Sequence, residues 1–294
     1  MTAAAEAAPL VIERPGVYDD VPAEVYHADP VPGGSLSSSE ARRLLPPSCP
    51  ALFRHYKDHP EQRKTTKALD FGSAAHAVVL EGDETPIVAI NAENYRTKAA
   101  QQQAKAARAA GKYPLLPDEL ETVRAMAAAL KAHPLAAKLL EHGSAERSLF
   151  WADPETGVRR RARLDWHRER RGGRVIVPDY KTAVSAEPRA FGRAVREHGY
   201  HVQAPWYLDG LQALDLAGPD AAFVFIVQEK TAPYVVTVAE LDADALALGQ
   251  ALGRRAIEIY QQCTETGRWP GYSGDIVHVS LPPWAADDLE AAHG

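Results

Sequence analysis

Three runs in the middle of the chain alternate apolar with polar or charged residues, and only short glycine-containing turns separate them. The first is SLFWAD, at 148–153, followed by the turn ETG. The second is VRRRARLDW, at 158–166, where arginine alternates with small or apolar residues at period two. RERRGG turns the chain again, and RVIVPDYKT follows at 174–182. Period two marks strands with one packed face. Turns this short make sequence neighbours neighbours in space, so the segment predicts a three-strand meander.

The flanking segments read differently. SLSSSEARRLL, at 35–45, starts a helix with a serine cap followed by a glutamate. A short helix is expected from Pro50 to His59. KALDFGSAAHAVVLEG, at 67–82, is small and apolar almost all round, which predicts a central buried helix with His76 in its middle. Residues 93–110 form a polar, alanine-rich helix, and Pro117–Lys131 and Pro134–His142 each open a helix with proline. Beyond the meander come helices at Pro188–Glu197 and Tyr200–Leu216, strands AAFVFIVQE and PYVVTVA, and a long amphipathic helix at Asp242–Thr266. The expected fold class is α/β: a mixed central β-sheet with a β-meander core flanked by helices and a helical N-terminal half. One domain is expected over 13–280, with a helical part at 35–142, a sheet core at 143–240 and a C-terminal helix at 242–266. A loose N-terminus (1–12) and an acidic tail (281–294) flank it.

The 294 residues are 46% hydrophobic and 24% charged, enough for a sizeable core. Net charge is -6. That argues against nucleic acid at first sight, but the distribution matters more than the sum. Eight arginines stand between Val158 and Arg174 against Asp165 and Glu169, and residues 93–112 carry a second basic stretch. Two distant cysteines, Cys49 and Cys263, exclude a disulfide framework and any four-cysteine metal site. MTAAAEAAPL lacks the features of a signal peptide and no run reaches membrane-span length, so a soluble cytoplasmic protein with no membrane partner is expected. The phosphate-cradling G-x-x-x-x-G-K-[ST] stretch and the nucleophile elbow are both missing.

The chemistry sits at the strand ends. Among all lysines, only Lys181 has an acid two positions before it, Asp179. In a strand those two side chains share a face, with Tyr180 opposite. The preceding strand carries Asp165 near its end, and the turn at 168–173 brings it alongside. Two carboxylates and one ammonium then converge. The carboxylates repel unless a cation lies between them, and hard oxygen ligands suit Mg²⁺ or Mn²⁺. Arg159, Arg161 and Arg163 share one face of the same strand, either a solvated row or a phosphate-contacting row for DNA. Trp151, Trp166 and Trp206 are expected in the core, and Glu146 opens a strand near the site with its direction undecided. Glu81, five residues after His76, falls off the same helical stripe and is expected only behind the site.

This arrangement resembles the active site of the PD-(D/E)-x-K nuclease superfamily. FGSAAHAVVLE resembles the histidine helix of recombination exonucleases, R-x-R-x-D the strand of the first acid, and GYHVQAPWYLDG the following helix with glutamine and tyrosine four apart. With PGVY and VYHAD near the start, these resemble the exonuclease VIII (RecE-type) branch of phages and prophages. The resemblance implies a restriction-endonuclease-like fold and a Mg²⁺-dependent exonuclease, with Mn²⁺ able to substitute. It would act on double-stranded DNA ends from the 5′ side, in phage-type recombination. It implies Asp165, Asp179, His76 and the Tyr180 carbonyl as metal ligands, and Lys181 as the water-positioning residue or general base. Gln203 and Tyr207 would flank the metal and contact substrate. A ring-shaped homo-oligomer and a single-strand annealing partner are implied as well. A metal-dependent endonuclease and a non-catalytic DNA-end binding module are the alternatives. One departure is that proline precedes Asp179, whereas leucine precedes Asp165.

Overall fold

The computed structural model describes residues 10–62, 66–168 and 172–281. Most of the expected loose N-terminus, nearly all of the acidic tail and the tip of the turn at 168–173 lie outside these residues.

The N-terminal part holds two short strands and a helix: β1 (Gly16–Tyr18), α1 (Ala23–Ala28) and β2 (Leu36–Ser37). Then α2 (Ser38–Arg43) opens with the capping box that the serines and Glu40 predict. The Glu40 backbone N–H donates to Ser37 Oγ, and the Ser37 N–H donates to the Glu40 carboxylate at 3.0 Å. After α3 (Pro50–Asp58), α4 (Lys67–His76) is capped by Thr66 and runs directly into a π turn at Ala77–Glu81. A small parallel pair, β3 (Ile87–Ala89) with β4 (Tyr113–Leu115), encloses α5 (Lys98–Ala109). Proline opens both α6 (Pro117–Ala132) and α7 (Pro134–Leu139), as expected.

The meander holds in part. β5 (Gly143–Ala152) and β6 (Arg159–Arg168) form a long antiparallel hairpin, with β1 and β2 added at its two edges. β7 (Ile176–Ala183) lies beside β6 but opens a second sheet instead of continuing the first. The chain leaves β7 through α8 (Pro188–His198) and α9 (Tyr200–Ala213), then returns as β8 (Ala222–Glu229), parallel to β7. β9 (Val236–Glu240) pairs antiparallel with β8, and α10 (Ala243–Thr266) closes the domain. A hydrogen bond explains part of the split: the Tyr180 N–H, facing β6, donates to the Asp165 side chain at 2.8 Å instead of to a ladder carbonyl.

That geometry also accommodates the departure at Pro178. Backbone N–H groups two residues apart in a strand point the same way, so position 178 faces β6, as Tyr180 does, and β8 loses no ladder donor there. β8 reads AFVFIV because it is covered on both faces. One core lies against α9 and α10 around Trp151, Trp206, Phe225 and Leu164; the other lies against α4 and α6 around Val79, Met126, Tyr180 and Ile226. Trp166 is only partly buried, packed beside the second core.

α9 and α10 approach closely enough that position 249 admits only glycine. A Cβ there would stand 1.6 Å from the His201 carbonyl oxygen. Gly249→Ala is therefore expected to destabilise the protein by about 3 kcal/mol or more, by the logic of overpacking; the urea midpoint measures it.

Candidate active site

The two sheets meet where β6 and β7 run side by side, and the acids and lysine gather there. Asp179 is 1% exposed. Lys181 Nζ lies 2.5 Å from Asp179 Oδ2, as the period-two spacing predicts. Asp165, on the neighbouring strand, accepts the Tyr180 N–H. From α9, Gln203 Nε2 donates to Asp179 Oδ1 at 2.8 Å, and Tyr207, one turn on and buried, hydrogen-bonds Gln203. His76, the last residue of α4, places Nδ1 3.7 Å from Asp165 Oδ2. Its ring meets the Tyr180 ring edge-on at 5.3 Å, and the Tyr180 carbonyl faces it. The structure thus brings together Asp165, Asp179, Lys181, His76, Gln203, Tyr207 and the Tyr180 backbone.

The electrostatics follow from burial and from one unbalanced charge. Burial, then the Asp165 charge, pushes the Asp179 carboxyl up to about 7. Burial, against the pull of Lys181, pushes Asp165 up to about 6. Burial would lower the Lys181 ammonium, but the two carboxylates outweigh it and hold the lysine above its usual range. Burial and the Lys181 charge lower His76 and favour the neutral ring, the form that binds a cation. Asp179 Oδ2 is buried and accepts no well-formed hydrogen bond; the Lys181 ammonium is its ion-pair partner.

Three groups stand at or near the site that the sequence left undecided, set aside or unnamed. Glu146 on β5 is one: ligand atoms of His76, Glu146 and Asp165 all lie within 4.8 Å of one another. Glu81 is the second. Five residues is off the stripe in an α-helix, but the π turn at Ala77–Glu81 adds a residue to that turn, and partial burial with the nearby Glu146 charge pushes the Glu81 carboxyl up. Tyr200 is the third; its ring centroid lies 5.1 Å from Lys181 Nζ. The spacing 200, 203, 207 on one helix face was the available signal.

The arginine row does not present a common face to solvent. Arg161 is 2% exposed and pairs with Asp29 at 3.2 Å and Glu40 at 2.8 Å, while also donating to the Ser35 carbonyl. A buried guanidinium needs such partners, so Arg161 is a core ion pair and the phosphate reading is corrected there. Arg159 donates to the Glu13 carbonyl, and Arg163 pairs with Glu146.

Two carboxylates with one imidazole form a group that could hold a divalent cation. The raised carboxyls, with Asp179 Oδ2 met only by the Lys181 ammonium, fit the same reading: negative charge is concentrated where a cation would relieve it. Among the described residues no helix is long and apolar enough to cross a membrane.

No curated protein matches the sequence. Among solved structures, the chain is similar to the crystal structure of a protein from Eubacterium rectale described as a "Putative exonuclease". The two share 13% identity over 87% of this chain and 93% of that one, with a TM-score of 0.58, which carries a common fold. The model of a family described as "PDDEXK-like domain of unknown function (DUF3799)" matches residues 37–281, a span that includes every acid, lysine, histidine, glutamine and tyrosine gathered above. With its two carboxylates and lysine on adjoining strands, the chain belongs to this family of PDDEXK-like domains.

Proposed function

We propose that the protein is a metal-dependent exodeoxyribonuclease that degrades double-stranded DNA from its ends, in the 5′ to 3′ direction. The observation that carries this is the convergence of Asp165, Asp179 and Lys181 on adjoining strands, within β6 and β7. His76, Glu146, Asp165 and Asp179 would hold the cation. When bound, Mg²⁺ or Mn²⁺ supplies charge neutralisation for the phosphodiester and a more acidic water. The side chains do the rest. Lys181, held as an ammonium by its two carboxylates, donates; it orients the attacking water and steadies charge developing on the phosphate. This favours the water-positioning role over the general-base role. Gln203 holds Asp179 in place, and Tyr207 holds Gln203.

The name carried by the Eubacterium rectale protein supports attack on ends over internal cleavage. Digestion of 5′-labelled and 3′-labelled linear duplex beside a closed circle tests it. Early release of the 5′ label with an intact circle is expected; a cut circle would assign an endonuclease instead. The ring-shaped homo-oligomer remains part of the proposal, and light scattering that gives a monomer at working concentration would remove it.

Gln203→Ala deprives Asp179 of its amide donor. Loss of a group that orients a metal ligand costs about 10–100-fold, and a decrease of that size in the rate of nucleotide release is expected with the fold intact.

A further inference from the structure

The hairpin of β5 and β6 keeps one register from Gly143↔Arg168 to Ala152↔Arg159, with a single gap. Ala145 faces Trp166 and Arg147 faces Leu164, so the gap sets Glu146 opposite Asp165. Like charges directly opposite in an antiparallel pair repel. Glu146 also has a φ of 61°, in the left-handed region that side chains with a Cβ rarely occupy. Neither feature helps a hairpin. Both make sense if the backbone is turned to aim this carboxylate across the strand, where it comes within 4.8 Å of the His76 and Asp165 ligand atoms.

Arg163 fixes that aim. It stands two residues before Asp165 and ion-pairs with Glu146. It is itself anchored: its NH1 donates to the Val21 carbonyl at 2.6 Å and to Ser148 Oγ at 3.5 Å, and its guanidinium lies 5.8 Å from the Tyr26 ring centroid. Its side chain is 15% exposed. A guanidinium held on three sides is poorly placed to follow a DNA backbone and well placed to hold a carboxylate.

We propose that Glu146 is a metal ligand supplied by β5, and that Arg163 is the positioning residue that orients it. This rests on the metal-dependent reading of the site. The arrangement is a carboxylate ligand braced from behind by a hydrogen-bonding partner, a recurrent device in metal centres. It gives Arg163 a role in cation binding in place of the DNA contact suggested by its place in the arginine row.

Calorimetric titration of Mn²⁺ into the full chain without DNA tests this apart from any activity. Glu146→Gln is expected to weaken Mn²⁺ binding at least tenfold, and Arg163→Gln about tenfold, since outer partners of ligands are worth 10–100-fold. Circular dichroism in EDTA reports whether each variant is folded. If Glu146→Gln does not fold, Glu146→Asp takes its place, with a carboxylate one methylene shorter and an expected several-fold loss. Binding of DNA in Ca²⁺, followed against salt, separates the roles of Arg163. A phosphate contact would lower the salt slope by about one; a positioning residue leaves the slope unchanged. Wild-type Mn²⁺ affinity in a folded Glu146 variant overturns the ligand assignment, and a reduced salt slope in Arg163→Gln overturns the positioning role. If the wild type itself binds no divalent cation, the metal-dependent reading falls with it.

Discussion

Lys181→Ala is expected to slow hydrolysis of linear duplex DNA by about 10²–10³-fold, the usual cost of removing one donor aimed at developing charge. The reason lies in the charge count where β6 and β7 run side by side. Two carboxylates face a single ammonium, 2.5 Å from Asp179, so Lys181 is the local donor available to a water or a phosphate oxygen. The same count predicts a second effect. Without the lysine the two acids are left bare, so the variant should melt lower than wild type in EDTA at pH 8 and recover when Mn²⁺ is added. Lys181→Arg should not restore the rate, because a planar fork cannot replace a compact ammonium on a buried strand. Single-turnover nucleotide release and thermal melting measure the two effects separately.

Asp179→Asn should also lose cleavage, and it should be more stable than wild type when no cation is present. The Asp179 carboxyl moves from an ordinary 3.8 to about 7, raised by burial and by Asp165. A group whose folded value is raised contributes stability that is complete below its unfolded value and is lost as pH climbs through the folded one. Wild-type stability in EDTA should therefore fall between about pH 4 and pH 7. Asparagine does not titrate. The gap between variant and wild type should be small at pH 4 and reach roughly 4 kcal/mol by pH 8, since the shift is about three units and each is worth about 1.4 kcal/mol. The two acids titrate as a pair, so the midpoint belongs to both. Saturating Mn²⁺ should reverse the order, because the cation stabilises the form that binds it. Urea unfolding across pH, with EDTA and with Mn²⁺, measures all of this.

What the sequence made legible followed from local periodicity. Asp179 and Lys181 share a face because strands alternate, and Gln203 and Tyr207 share one because helices repeat near four. The capping box of α2 and the proline-led helices were local signals too. What stayed hidden depended on departures from those periods or on distant partners. Glu146 is aimed by a left-handed backbone angle that its residue type disfavours. Glu81 comes near the Glu146 charge from a π turn, which an α-helical count does not anticipate. β1 and β2 are two or three residues long and exist because β5 and β6 offer them open edges. The arginines at 159, 161 and 163 alternate as a solvated strand would, yet Arg161 meets Asp29 and Glu40 from segments more than a hundred residues away. β7 parts from the meander in part because the Asp165 side chain takes the Tyr180 N–H, a contact no turn length announces.

The central claim is that Asp165, Asp179 and Lys181 act together on phosphodiester bonds through a divalent cation. Its most direct measurement is the release of nucleotides from linear duplex DNA by the purified chain in Mg²⁺ or Mn²⁺, with EDTA and Asp165→Asn as parallel arms. Steady release by wild type, abolished in both other arms, is the predicted result. Intact DNA in every divalent cation, from protein shown to be folded, would contradict it.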